Sequence, residues 1–302
     1  MFGKYATLTD PVHKTPYAGI SPSRPELSQA GKTVVITGGN SGIGYAIAQG
    51  FLKAQAARVI VLGRRADVVA SAARDLAAEA GGEAGDRVLG LPCDISDAAA
   101  VEALWDRLRA DGVSVDVLVL NAAAFAPLKP LLEVGTKGVW KIFDANVRAQ
   151  LHMTERFYKQ TGRGATSDST RYLVHVSSGA IHDFEHLGQQ YPGYGLTKNA
   201  GQLALQLVAQ DTPAEAMQVV SYHPGAVLTD SARGAGWTED ALAWDSVNLP
   251  GDFAVWAASP EARFLHGRFV WAAWDVDQLK SGALRKRIDE ESTFLKIGIN
   301  GL

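Results

Sequence analysis

From Lys32 onward, short runs of Val, Ile and Leu alternate with longer stretches whose apolar residues fall three and four apart. Repetition of this kind closes as a parallel sheet with crossover helices, because parallel neighbours need a connection long enough to return the chain to the same edge. The runs predict strands at Thr33–Thr37, Arg58–Leu62, Val88–Cys93, Val117–Asn121, Tyr172–Ser177, Gln218–Tyr222 and Gly267–Ala272. Several are apolar throughout, as expected of strands covered on both faces. Helices are expected at Gly44–Ala54, Val68–Ala80, Ala98–Ala110, Thr136–Gln160, Gly195–Ala209 and Asp252–Ala258, and the Ala/Gly-rich stretch Ala77–Gly85 reads as a helix end and loop. The fold class is therefore α/β, one doubly wound sheet of about seven strands. No linker, repeat or composition shift divides the chain, so residues 32–302 read as one domain. Residues 1–31 mix Lys4 and Lys14 with Pro11, Pro16, Pro22 and Pro25 and read as an extension, draped over the domain or left loose.

Composition narrows the ligand. A chain of 302 residues, 47% hydrophobic, can bury a large core, but a net charge of -3 offers no basic face for a phosphate backbone. Nucleic acid is excluded as a partner, and a small-molecule substrate is the default. Cys93 is the single cysteine, so no intrachain disulfide forms and a reducing cytoplasmic setting fits; the thiol itself reads as packing. The first thirty residues hold no apolar leader segment, and no stretch reaches the roughly 18 apolar residues of a membrane span. No membrane association is expected.

The sharpest local signal is Thr37-Gly38-Gly39-Asn40-Ser41-Gly42-Ile43-Gly44, lying between the first expected strand and the first expected helix. Glycines at 38, 42 and 44 permit a tight turn, a close backbone approach to a pyrophosphate and a helix pressed against the sheet, with the helix N-terminus facing the phosphates. A glycine cluster alone would be weak evidence; its place in a βα unit makes it informative. In this spacing the segment resembles the short-chain dehydrogenase/reductase family, whose TGxxxGIG occupies the same turn. Further elements follow in order. Gly63-Arg64-Arg65 ends the second strand where an NAD enzyme would carry a carboxylate for the ribose 2′-OH; arginine suits a 2′-phosphate instead, so Arg64, helped by Arg65 and Ser41, points to NADP(H). The resemblance makes Asp94 and Ile95 adenine contacts and matches Asn121-Ala122-Ala123-Ala124 to an NNAG-like segment, departing from it at Ala124.

Tyr194 and Lys198 stand four apart on an expected helix and so share a face. A phenol with a pKa near 10 shuttles protons poorly at neutral pH unless a cation favours its phenolate, and Lys198 is the expected cation. The resemblance implies that Tyr194 is the general acid/base, that Lys198 also holds the nicotinamide ribose, that Ser178 bonds the substrate oxygen, and that Asn146 supports a proton path. It also implies that Pro224, Val227 and Thr229 hold the nicotinamide carboxamide. Of the pair Ser177 and Ser178, alternation along a strand brings one into the cleft, and the family match selects Ser178. The loop with His182, Phe184, Glu185, His186 and Tyr191 is expected to wall the substrate; its histidines read as solvated, with no metal site.

The resemblance spans residues 30 to 275 and implies a Rossmann-type sheet, hydride transfer between a nicotinamide cofactor and a carbonyl or alcohol carbon, and a homodimer built through the helices bearing Asn146 and Tyr194. Residues 230–249, with Trp237 and Trp244, are expected to form a substrate lid. The tail around Trp271 and Trp274, whose rings are expected to pack, and the Pro-rich extension look like those of fungal short-chain reductases of secondary metabolism. The expected reaction is reduction of a ketone or aldehyde of a natural-product-like molecule. Alcohol oxidation, redox epimerisation or rearrangement, and a non-catalytic NADP-binding scaffold or sensor are the alternatives.

Overall fold

The computed structural model describes residues 8–81, 87–125, 128–161, 170–184, 191–234 and 236–298. Glu185, His186 and most of the loop within Ala77–Gly85 lie outside the described residues. Seven strands, β1 Thr33–Thr37, β2 Arg58–Gly63, β3 Val88–Pro92, β4 Val117–Leu120, β5 Arg171–Val176, β6 Met217–His223 and β7 Arg268–Trp271, form one sheet. All pairings are parallel, in the order β3-β2-β1-β4-β5-β6-β7. Every expected strand is present to within a residue or two, because buried parallel strands are written as unbroken apolar runs.

The helices are α1 Gly42–Lys53, α2 Ala66–Ala80, α3 Ala98–Ala110, α4 Leu131–Phe143, α5 Ala149–Lys159, α6 Pro192–Asp211, α7 Asp230–Gly234, α8 Asn248–Ala257, α9 Val276–Leu279 and α10 Gly282–Glu290. Alternate side chains of each strand enter two cores. Val34 and Ile36 of β1 join Phe51 of α1, Phe253 and Trp256 of α8 and the segment before β1, whereas Val35 joins Trp105 of α3, Phe157 of α5 and Leu205 of α6 on the other face. The single expected helix Thr136–Gln160 is broken once within its span, and the helix that holds its first part begins earlier, at Leu131. Gly135 leaves the helical region at φ 70°, and a π-helical turn over Asp144–Arg148 separates α4 from α5.

Residues 8–31 are fastened to the domain. Ile20 and Leu27 are fully buried, Val12 bridges to Trp274, and His13 donates its backbone N–H to Ala273 O at 2.7 Å. The His13 ring meets the Asp275 carboxylate at 2.9 Å and stacks on Tyr17, whose hydroxyl donates to Trp274 O at 2.8 Å. Trp271 and Trp274 are both buried and stacked with centroids 5.9 Å apart, as the packing expectation has it. No helix among the described residues is long and apolar enough to cross a membrane.

Candidate active site

The strand order reverses beside β1, where β2 and β4 flank it, and at such a switch point the connections splay and leave a crevice at the carboxyl edge. A cleft of about 440 Å³ opens there. Its floor is the turn between β1 and α1. The Thr37 hydroxyl accepts the backbone N–H groups of Asn121 at 2.9 Å and Ala122 at 3.0 Å, while the Asn121 carboxamide donates to Thr37 O at 3.0 Å and Gly38 O at 3.1 Å. Those bonds tie the turn to the end of β4. Gly38 and Gly42 adopt φ of 64° and 54°, and a Cβ on Gly44 would lie 2.2 Å from Gly38 O. Only glycine lets α1 start this close to the strand, aiming its first-turn amides into the cleft.

At the end of β2, a Cβ on Gly63 would lie 2.3 Å from Asn40 Oδ1, so Asn40 is seated between the glycine turn and Arg64. Arg64 and Arg65 are exposed and line the same end of the cleft with Ser41, whose hydroxyl caps nothing in α1. After β3, Asp94 accepts from the Ser96 N–H at 2.9 Å and its hydroxyl at 2.6 Å, and Ile95 lies beside it on the wall. Cys93 is buried, and burial pushes its thiol up to about 11.

The other end is built by β5 and α6. Tyr194 and Lys198 line it together with Ser177, and Ser178 stands near enough to the Tyr194 hydroxyl to oppose the effect of burial on it. Ser178 also accepts the Ala180 N–H at 3.2 Å. Both serines therefore reach the site, Ser177 on the wall and Ser178 against the tyrosine, because regular strand alternation ends at Val176. Lys198 donates to Val176 O at 2.8 Å and stands 5.8 Å from the Tyr194 ring centroid. Burial lowers the Lys198 ammonium to about 8 and raises the Tyr194 phenol to about 12, a rise that Ser178 opposes. Burial is the largest cause of the phenol's rise, as expected of a phenol withdrawn from water.

Asn146 is fully buried in the π-helical turn. Its Oδ1 accepts the Ala124 N–H at 2.7 Å and its Nδ2 donates to Ala124 O at 2.8 Å and Thr197 Oγ1 at 3.0 Å. It thus clamps the loop after β4 to the residue preceding Lys198. Past β6, Pro224 and Thr229 line the cleft and Val227 does not; the Thr229 N–H donates to Val227 O at 3.0 Å.

Three features differ from the sequence-based expectation. His182 is half-buried rather than solvated and is not among the residues lining the cleft: Trp271 Nε1–H donates to its Nε2 at 3.1 Å, Phe269 packs 5.6 Å away, and burial lowers it to about 4. Tyr191 accepts from the Trp237 indole at 3.0 Å, joining the segment after α7 to the start of α6, and Trp237 meets Trp244 edge-on at 6.0 Å. Phe125 stacks on Tyr194 at 5.0 Å and 13° and remains 54% exposed in the cleft. Its signal was an aromatic residue directly after Ala122-Ala123-Ala124. No group of His, Cys, Asp and Glu among the described residues is placed to hold a metal.

The sequence matches the short chain dehydrogenase family model over residues 32–239. It is 34% identical to the short chain dehydrogenase/reductase AacuD of Aspergillus aculeatus, covering 99% of this chain and 98% of that one. It is 36% identical to a short chain dehydrogenase/reductase of Claviceps purpurea, over 92% of this chain and 89% of the other. The fold superposes on Pseudomonas aeruginosa RhlG, solved as an NADP active-site complex, with TM-score 0.71 at 25% identity, covering 82% of this chain and 97% of that one. It superposes equally on a 7 alpha-hydroxysteroid dehydrogenase complexed with NADH, with TM-score 0.69 at 22% identity, covering 82% and 95%. One fold therefore carries either dinucleotide, and the choice lies in side chains.

Proposed function

The chain belongs to the short-chain dehydrogenase/reductase family, and from that premise we propose that it is an NADP(H)-dependent carbonyl reductase acting on a ketone or aldehyde of a natural-product-like small molecule. The cleft fits a dinucleotide: the gap between Gly44 and Gly38, which a Cβ would fill, is the close approach a pyrophosphate needs. Gly38, Asn40, Ser41, Gly42, Ile43 and Gly44 would hold the phosphates, Arg64 and Arg65 the 2′-phosphate, Asp94 and Ile95 the adenine, and Asn121 the floor. Pro224 and Thr229 would hold the carboxamide, Val227 would support Thr229 by accepting its N–H from behind the cleft wall, and Tyr194 and Lys198 would stand near the ribose. When bound, the nicotinamide supplies or accepts a hydride.

The observation that carries the reading is Tyr194, one helical turn from Lys198 and beside Ser178, in the cleft onto which the glycine turn also opens. Ser178 would bond the carbonyl oxygen, and Tyr194 would give it a proton as charge develops there. A phenol raised to about 12 holds its proton at neutral pH and is ready as the acid. Lys198, within reach of the ring, would offset the phenolate charge left behind, and Asn146 would keep the Tyr194–Lys198 helix in register with the loop after β4. The same groups run alcohol oxidation in reverse. The relatives of comparable length are fungal short-chain dehydrogenases/reductases, in keeping with the tail resemblance that suggested a natural-product-like substrate.

We also infer a homodimer through α5 and α6, whose outer faces leave Leu151, Leu196, Leu203 and Leu207 exposed. The first test is a fluorescence titration with NADPH and NADH separately, expected to favour NADPH at least tenfold, about 1.4 kcal/mol. Tyr194→Phe is expected to leave NADPH binding within about twofold and to cut carbonyl reduction by about 10³-fold or more. Retention of most activity would overturn the assignment.

A further inference from the structure

The loop that follows β6 has a second partner, remote in sequence and outside the family motifs. Asp245 donates its backbone N–H to Ala226 O at 2.8 Å, and its carboxylate Oδ2 accepts the Ala226 N–H at 2.7 Å. Both backbone groups of Ala226 thus go to one residue of the lid. The carboxylate is tucked over Gly225, which holds φ of 94°; a Cβ there would lie 2.5 Å from Oδ2, so the close seat exists only for glycine. Asp245 is in turn held from both flanks by Lys14. The Lys14 ammonium donates to Ala243 O at 2.8 Å, and Lys14 O accepts the Ser246 N–H at 2.8 Å. The segment carrying Lys14 is pinned by its neighbour His13 to Ala273 and Asp275, so the flanks do not float.

We propose that Asp245 is a positioning residue for the nicotinamide end of the cleft, fixing the Pro224–Thr229 loop from the lid, with Lys14 of the N-terminal segment as the brace that holds Asp245 in place. This rests on the dinucleotide reading above. Pro224 and Thr229 line the cleft on either side of the clamped Ala226, so the clamp sets the path of the backbone between them. A loop already fixed in its binding conformation loses less conformational freedom when a ligand arrives, and the gain falls on the part of the ligand that the loop touches. The half-buried carboxylate is raised by desolvation, while the Ala226 N–H and the Lys14 charge oppose that rise, in keeping with a group held for its hydrogen bond rather than for solvent contact. Asp245 has no contact with the adenosine end, where Arg64 and Asp94 stand, and this separation makes the proposal testable by halves.

The experiment compares the full dinucleotide with its nicotinamide-free half on the same protein. Wild type, Asp245→Ala, Asp245→Asn and Lys14→Ala are titrated with NADPH and with adenosine 2′,5′-bisphosphate, or with NADH and ADP if wild type prefers NADH. Asp245→Ala is expected to weaken the dinucleotide at least tenfold and the half-ligand less than twofold. Asp245→Asn keeps an acceptor for Ala226 N–H and is expected to restore most of the dinucleotide affinity. Lys14→Ala, exposed and safe for folding, is expected to weaken the dinucleotide about threefold with the half-ligand unchanged. A loss for the dinucleotide no larger than for the half-ligand, in both Asp245→Ala and Lys14→Ala, overturns the proposal. Wild type that binds neither dinucleotide overturns the cofactor reading itself, an outcome seen before any variant is made.

Discussion

In the proposed reading, the choice between the two dinucleotides rests on Arg64 more than on any other single side chain. It is exposed at the end of β2, beside Asn40 and Ser41, with no carboxylate in the place where a ribose 2′-OH would need one. Arg64→Ala is expected to weaken NADPH at least tenfold and NADH less than twofold by fluorescence titration; equal losses would remove Arg64 from the 2′-phosphate. Lys198 makes a second prediction. Its ammonium is lowered to about 8 by burial, so the cation is present below that pH and is lost above it. If the cation offsets the phenolate left on Tyr194, kcat/KM for reduction falls as pH rises through about 8; a profile flat to pH 9.5 would remove the lysine charge from the proton step. These residues were legible because their motifs are local: four residues on a helix, or a turn between strand and helix. Phe125, Asp245 and Lys14 were not, since each acquires its role from a partner 19 to 229 residues away in the chain.

Among the elements, the β1–α1 turn depends most steeply on a single atom. Alanine is favoured over glycine in a helix by about 1 kcal/mol, so propensity alone would make Gly44→Ala stabilising. The added Cβ would lie 2.2 Å from a backbone oxygen, an overlap no rotamer relieves, and the helix must retreat from the strand. Gly44→Ala is therefore expected to lower Tm and to weaken NADPH at least tenfold; an unchanged Kd would show that the close approach is not used. The strands were read to within a residue or two, since burial on both faces leaves nothing but apolar side chains to write. The stretch across α4 and α5 was read less well. Apolar spacing signals a helix but is blind to one inserted residue, and the π-helical turn at Asp144–Arg148 is such an insertion. It carries Asn146, and π-helical turns often lie at functional sites. Helix α10 was missed because it buries little beyond Ile288, and its ion pairs Arg285–Asp289 and Arg287–Glu291, four residues apart, were the signal available.

For the whole molecule, the exposed face of α6 is the feature that a lone chain does not explain. Leu196, Leu203 and Leu207 recur at intervals of seven and four, so they form one stripe, and Leu207 is 49% exposed. The inferred dimer would cover it. Leu203→Glu with Leu207→Glu is expected to convert a dimer to a monomer in sedimentation equilibrium while leaving the fold intact, because neither side chain belongs to the core; a wild type that sediments as a monomer would sink the inference. The extension reads equally as draped or loose in the sequence, since its prolines and lysines look alike in both states; Ile20 and Leu27, both fully buried, decide for draped over its described residues 8–31. One further property belongs to the chain as a whole. Cys93 is its only thiol, and burial holds that thiol near 11, so at neutral pH its thiolate fraction is about 300-fold below that of a free cysteine with pKa near 8.5. Cys93 is therefore expected to react slowly with maleimides in the folded protein. A cysteine introduced at exposed Ala241 would take a fluorophore at one address, and its emission would report whether residues 230–249 move when a dinucleotide binds.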